Sequence, residues 1–390
     1  MIQQIWTSTA NQSESLGGDE LPHVLLVVDQ FAKTLGGGER IVLRLARLLP
    51  DYGFRVSILT FLLDPESPVL NIPPVCPLYL LPLRRTYDFD AFKSAVELRA
   101  FVRAEKIFIV QTFFESSDLW AGLVVKSLTS ARLIWSRRDM GILRSPKHRT
   151  AYRLLARLPN RVFAVSEQVR KHCIEVDGID PSRVETIHNG LKLSPTTTKE
   201  TEAHHNFLIT TVGNIRRVKG HDIFVRAAAM VLEKCPDVSF SIAGSVLDRE
   251  YFQELESLVL ELGLSRHFYF TGPTDQVAEY LQSADIFVLP SRSEGFSNAI
   301  IEAMAESLPV VATNVGGNSE AISTGVNGFI VAPDNAPALA QAIITLCVDP
   351  QLAQRMGAAG REMALTLFSE EAMMLRVQSA YRALLPKGRL

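Results

Sequence analysis

At roughly 100 to 200 residues per domain, a chain of 390 residues has room for two or three domains, each with its own core, and is too long for one small module. Hydrophobic residues make up 47% and charged residues 21%, with 23 Gly and 20 Pro, which excludes long disorder and collagen-like repeats. The net charge is -2, from 40 basic and 42 acidic residues, so no global attraction to nucleic acid exists and nucleic acid is not expected as a partner.

Residues 1–20 are polar, with Ser8, Asn11, Ser13, Glu14, Ser15, Asp19 and Glu20, and read as a flexible tail. They lack the basic start and apolar stretch of a signal peptide. Nowhere do about 18 apolar residues run without a charge or a proline cluster, so nothing is expected to span a bilayer. Cys76, Cys173, Cys235 and Cys347 are scattered, without a CxxC pair or a nearby His at zinc spacing. They read as reduced packing residues of a cytoplasmic protein, and no metal site is expected.

From His23 onward, short apolar runs alternate with longer amphipathic stretches, the pattern of parallel sheets flanked by helices. Strands are predicted at 23–28, 55–61, 107–112, 132–136, 161–165 and 184–188, all rich in Val, Ile, Leu or Phe. The segment 40–49 places Ile41, Leu45, Leu48 and Leu49 on one helical face. Before it stand Gly36, Gly37 and Gly38, but no frame gives G-x-G-x-x-G, because the third glycine position falls on Ile41. That counts against a nicotinamide enzyme. After the run 107–112, Glu115 and Asp118 are candidate ligand contacts, and Arg137-Arg138-Asp139 ends the next strand. From Lys126 to Lys171 twelve basic residues face two acids, a stretch of +10 interleaved with Leu143, Tyr152 and Leu154 that suits anionic lipid or a phosphate-bearing acceptor.

Residues 191–206, LKLSPTTTKETEAHHN, have no apolar periodicity and read as a linker. The alternation then restarts, with strands predicted at 207–212, 238–243, 267–271, 285–290, 309–313 and 329–332. Two doubly wound units bind ligands where strands end, so functional residues are expected after strands. The strongest such segment is 291–306, SRSEGFSNAIIEAMAE. Glu294 falls in the strand-to-helix loop, Gly295 admits close backbone approach, and Ser297 or Asn298 caps a helix starting near Ala299. Glu302, one turn in, suits both hydroxyls of a vicinal diol. The stretch 369–385 reads as one amphipathic helix belonging to neither alternation.

The Glu294-x7-Glu302 spacing within EGFSNAIIEAMA follows DIFVLPS and precedes PVVATNVGG and NGFIV. With GGGER at 36–40, VSE at 165–167, IHNG at 187–190 and VGNIRRVKG at 212–220, it resembles the retaining nucleotide-sugar glycosyltransferases of family 4, over residues 22–385. The resemblance implies an α/β protein of GT-B fold with two Rossmann-like doubly wound domains facing across a cleft. The amino-terminal, acceptor-side domain would span 21–195, joined by a returning helix at 370–390, and the nucleotide-sugar domain 196–369.

The implied reaction is retaining transfer of a hexose from a nucleotide diphosphate sugar, a UDP-sugar favoured over a GDP-sugar, with no cofactor or metal. The acceptor would be a glycan or a lipid-linked molecule in surface polysaccharide or glycolipid assembly, at the cytoplasmic, inner face of a membrane and with peripheral contact to anionic lipid. Glu302 would hold the ribose, and Glu294 the sugar hydroxyls beside Gly295, Phe296, Ser297 and Asn298. Lys219 would hold the diphosphate, and Gly37 and Gly38 would admit its approach. Asn214 stands where the family carries an arginine, so Arg216 or Arg217 would replace it, and Val246 stands where a glycine is usual. Glu115, Arg137 and Arg138 are the acceptor candidates. The alternatives are an epimerase or phosphorylase of the same fold, or a non-catalytic sugar-nucleotide-binding protein.

Overall fold

The structure is a computed structural model that describes residues 2–6, 21–83, 85–141, 145–193 and 207–386. The chain divides into two compact units, residues 1–188 with 374–390 and residues 189–373. Each is an α/β unit of Rossmann type, as the alternation of apolar runs and amphipathic stretches implies.

The first unit carries β1 (Gln3–Trp6), β2 (His23–Phe31), β3 (Arg55–Leu63), β4 (Leu78–Leu80), β5 (Ile107–Thr112), β6 (Arg132–Arg137), β7 (Arg161–Ala164) and β8 (Val184–Thr186). They form one sheet in the order β1-β4-β3-β2-β5-β6-β7-β8, parallel except for β1 on β4. The centre, β2, is the apolar run His23–Val28, whose residues are all buried, as a parallel strand covered on both faces requires. The helix Gly37–Leu48 covers it with Ile41, Val42, Leu45 and Leu48.

The second unit carries β9 (Phe207–Val212), β10 (Val238–Ala243), β11 (Phe268–Gly272), β12 (Ile286–Leu289), β13 (Val310–Thr313) and β14 (Gly328–Val331). Their order, β11-β10-β9-β12-β13-β14, is all parallel and reverses direction between β9 and β12. Phe224, from the helix His221–Leu232, meets Phe240 and Phe268 at ring-centroid distances of 5.8 and 5.4 Å in the core.

Two expectations are corrected. Residues 1–20 are not all a loose tail: Gln3–Trp6 is an antiparallel edge strand with Trp6 buried, and residues 7–20 lie outside the described residues. Both it and its partner β4 are too short to show a period. The unit boundary falls at 188/189 rather than 195/196. Leu191 bridges to Ser369, and a Cβ on Gly190 would lie 2.4 Å from the Ser369 carbonyl oxygen, which ties 189–191 to the second unit. Residues 194–206 of the expected linker lie outside the described residues. The final helix, Glu370–Arg382, begins in the second unit and ends in the first. There Tyr381 is fully buried, edge-on to Phe54 at 5.2 Å, and donates its hydroxyl to Gln111. Among the described residues no single helix is long and apolar enough to cross a membrane.

His23, at the start of β2, is buried with Nδ1 on the Glu105 carbonyl (2.9 Å) and Nε2 on Ser57 Oγ (2.8 Å). Burial lowers its pKa to about 4, partly offset by the Glu105 bond. The unfolded chain therefore takes up this proton first. Stability is lost as pH falls from the unfolded value near 6.5 toward 4, and the loss levels off below that. Calorimetry of a His23→Asn variant should show a flatter stability profile between pH 7 and 4.5, by about 2 to 3 kcal/mol relative to the parent. An unchanged slope would contradict a neutral buried imidazole.

Candidate active site

In a doubly wound sheet, ligands bind outside the carboxyl ends of the strands where the order reverses. In the second unit this point lies between β9 and β12, and the loops that leave them meet there. Lys219 Nζ stands 2.7 Å from Glu294 Oε1, and Ser291 Oγ donates to the same oxygen at 2.7 Å. Gly220 has φ +65°, and a Cβ there would lie 2.1 Å from the Pro290 carbonyl oxygen, so only glycine lets the two loops close. Gly316 repeats this against the Glu294 carbonyl oxygen at 2.0 Å, with φ +52°. Its neighbour Gly317 donates to the Gly295 carbonyl at 2.9 Å.

The helix Asn298–Ala305 starts directly behind Glu294, with Ser297 as its cap residue. Ser297 makes no side-chain cap bond, and Asn298 spends its side-chain oxygen on Asn189 Nδ2 at 2.6 Å. Phe296 is buried, its ring centroid 5.3 Å from that of Phe368. Glu302 is half-buried one turn into the helix, whose other residues Ile300, Ile301, Ala303 and Met304 enter the core.

The cations of the loop after β9 divide their roles. Arg217 forms a two-toothed ion pair with Glu254 and lies over the Tyr251 ring at 5.2 Å. With the two side chains 54% and 49% exposed, this is a weak surface pair for which a diphosphate can compete, so Arg217 stays a candidate beside Arg216. Arg216 is exposed, and among the described residues its side chain has no hydrogen-bond or ion-pair partner. Asn214 accepts the Ser245 N–H at 3.3 Å, tying its loop to the one after β10.

One residue escaped the sequence analysis. Arg292 makes two bonds to Asp222 (2.8 and 2.7 Å), one to Asp334 (2.7 Å) and one to the Arg217 carbonyl (2.8 Å). These contacts pin the loop 217–219 that presents Lys219. Arg292 follows β12 directly, but its partners lie 70 and 42 residues away, so no local spacing signals them.

In the first unit the order reverses between β2 and β5, and a cavity of about 320 Å³ lies at that point. Asp29, Gln30, Glu39, Thr86 and Ser116 supply its polar lining, and Phe61, Leu62, Leu83 and Phe114 its apolar wall. Asp29 accepts the N–H groups of Ser116 and Ser117 at 2.9 and 2.7 Å, joining the two strand ends. Burial raises the pKa of both acids, and Asp29 raises that of Glu39 further. Gly37 faces open space, whereas Gly38 lies under the Phe114 ring, where a Cβ would meet a ring carbon at 2.6 Å.

The acceptor candidates fare differently. Glu115 is half-exposed and pairs with His148 at 2.7 Å. Arg138 is half-buried, and burial, followed by the like charge of Arg44, lowers its pKa to about 10. Arg137 is 2% exposed: its guanidinium lies 3.2 Å from Asp177, 3.8 Å from Asp118 and 4.3 Å from the centre of the Tyr152 ring. The expectation that it touches an acceptor is corrected, as is that for Asp118, which is buried and accepts from Thr112 and Tyr152. Burial pushes Asp118 up to about 7 against the pull of Arg137. The +10 stretch is likewise no single amphipathic face. It is spread over the helices Gly122–Leu128, Pro146–Leu155 and Glu167–Glu175 and over β6 and β7. Among the described residues no group of three His, Cys, Asp or Glu side chains is arranged to hold a metal.

Residues 196–363 match the family model of glycosyl transferases group 1, and residues 35–194 that of Glycosyltransferase Family 4. This chain is a family 4 type glycosyltransferase. An Escherichia coli UDP-Gal:alpha-D-GlcNAc-diphosphoundecaprenol alpha-1,3-galactosyltransferase is 24% identical over 83% of this chain and 88% of its own. A D-inositol 3-phosphate glycosyltransferase of Thermobifida fusca is 30% identical over 60% and 58%. The Anabaena HepE structure in complex with UDP superimposes with a TM-score of 0.80 at 20% identity, covering 93% of this chain and all of that one. The glycosyltransferase thus has the GT-B fold.

In this glycosyltransferase, Arg137 is a structural charge. Asp118→Leu, which leaves the guanidinium buried with one partner fewer, should destabilise the first unit by about 3 to 5 kcal/mol. Denaturant unfolding gives the loss, and KM for the donor in the fraction still folded should stay unchanged. Near-normal stability would mean that Asp177, at 3.2 Å, suffices to compensate the buried guanidinium.

Proposed function

We propose that the chain is a retaining hexosyltransferase that takes a nucleotide diphosphate sugar, a UDP-sugar by preference, and glycosylates a lipid-linked or glycan acceptor at the cytoplasmic face of a membrane. The observation that carries this reading is the Lys219–Glu294 pair at the β9/β12 reversal, beside a helix start. It joins the one chemistry a diphosphate needs, a held cation, to the one a sugar needs, a carboxylate acceptor. The UDP bound to HepE and the lipid-linked substrate in the name of the Escherichia coli relative support the donor and acceptor classes.

In this reading Glu302 accepts hydrogen bonds from the two ribose hydroxyls. Glu294 does the same for the sugar, aided by the backbone of Gly295, Phe296 and Ser297. Lys219 and the exposed Arg216 neutralise the charge that develops on the diphosphate as the bond between sugar C1 and phosphate oxygen breaks. The acceptor hydroxyl attacks C1 on the face the diphosphate leaves and passes its proton to a phosphate oxygen, so the anomeric configuration is kept without a protein base. The cavity of the first unit, two acids over an apolar wall, suits the hydroxyls and ring faces of an acceptor and repels a diphosphate.

Lys219→Ala and Glu302→Ala should each weaken donor binding about 10- to 100-fold, the loss of a charge-assisted hydrogen bond. Titration calorimetry with UDP and with a UDP-sugar reads the effect, and losses below two-fold would refute the site. Turnover should be unchanged in excess chelator, and NMR of the product should show the donor's anomeric configuration.

A further inference from the structure

The helix Phe89–Ala104 turns two apolar faces outward from its axis, and only one of them is covered. Ala91, Ala95, Leu98 and Val102 are buried against the first unit. Phe89, Phe92 and Val96, at i, i+3 and i+7, share another face and are 82%, 69% and 50% exposed, and Tyr87 just before the helix is 83% exposed. Three uncovered rings in six residues form a contiguous patch of the kind that marks an interaction surface. The segment also adjoins the cavity at the β2/β5 reversal. Leu83 and Thr86 line that cavity together with Leu62, itself 44% exposed, and Thr86 directly precedes Tyr87, so the cavity mouth and the aromatic segment are neighbours in the chain.

We propose that Tyr87, Phe89, Phe92 and Val96 insert into the interfacial layer of a lipid bilayer and hold the neighbouring cavity at the membrane surface. This rests on the reading, given above, that the acceptor is lipid-linked. Three observations favour a bilayer over a protein partner. The patch offers roughly 500 Å², from three aromatic side chains of about 150 to 250 Å² each, well under the ~800 Å² per partner of a stable dimer. Phe and Tyr flanked by exposed Arg85 and Lys93 is an interfacial composition, rings at the level of the head groups with cations toward the phosphates. The patch also follows Thr86, a lining residue of the cavity that, on this reading, receives the head group while the lipid tail stays in the membrane. The carboxylate of Asp88 is spent on capping the helix at Ala91, and exposed Asp90 offsets one cation. The rings rather than net charge therefore supply the binding, which should resist salt.

The test is flotation of the full chain with phosphatidylcholine–phosphatidylglycerol vesicles, comparing the parent with Tyr87→Ser/Phe89→Ser/Phe92→Ser. These side chains are exposed, so the variant should keep its melting temperature and its thermal shift with UDP while its vesicle-bound fraction falls roughly ten-fold or more. The parent's binding should drop less than about two-fold in 0.5 M NaCl, unlike attraction through surface arginines. The proposal is overturned if the parent does not float, if the triple variant floats equally, or if without vesicles the variant sediments as a smaller species than the parent, which would make the patch a contact between two copies. A parent that floats through these rings yet shows no response to any nucleotide would refute the donor reading and uphold this surface.

Discussion

The donor-type site rests on the contact between two loops that leave neighbouring strands. At Gly220 the loop after β9 comes so near the Pro290 carbonyl that any side chain would separate them. The approach places Lys219 on Glu294 at 2.7 Å, an ion pair between partners 75 residues apart. Arg292 and Asp222 close the same seam from its outer side. The cation is therefore held before any ligand arrives, and binding does not have to order a flexible lysine, whose rotamer entropy is among the largest of any side chain.

The first unit uses charge in the opposite way. Arg137, Asp118, Asp177 and Tyr152 form a buried ionic group with no solvent to share its field. Such a group contributes little net stability, because desolvation offsets most of the attraction, but it is unforgiving of a missing partner. It fixes the end of β6 against the turn after β5. Asp29, two bonds away through Ser116 and Ser117, fixes β2 against that same turn. The cavity thus has rigid walls on both sides of the reversal.

Much of this architecture was legible in the sequence because parallel strands buried on both faces are written as continuous apolar runs. Strands β5, β9 and β10 begin and end where the runs do. The two strands that went unread, β1 and β4, have four and three residues and no period to detect. At the site, Glu294, Glu302 and Lys219 follow strands in recognisable motifs, and the structure brings Lys219 and Glu294 together. Arg137 misled for a physical reason: a strand-end arginine in a basic stretch reads as exposed, and nothing local reveals that Asp118 and Asp177 converge on it. Pairing across tens of residues decides whether a charge is free, and a single sequence does not carry that pairing.

The two reversals share one topology and differ in local charge. At β9/β12 a lysine and an exposed arginine accompany the carboxylates, so a doubly charged leaving group finds counter-charge there. At β2/β5 Asp29 raises the proton affinity of Glu39, and the rest of the lining is uncharged, with Gln30, Thr86 and Ser116 beside the apolar residues. A diphosphate placed in that cavity would meet two acids and no lining cation, a mismatch of charge. A hydroxylated ring would instead donate to the acids and stack on Phe61 or Phe114. The same fold used twice thus carries cations at one reversal and only acids, among the charged lining residues, at the other.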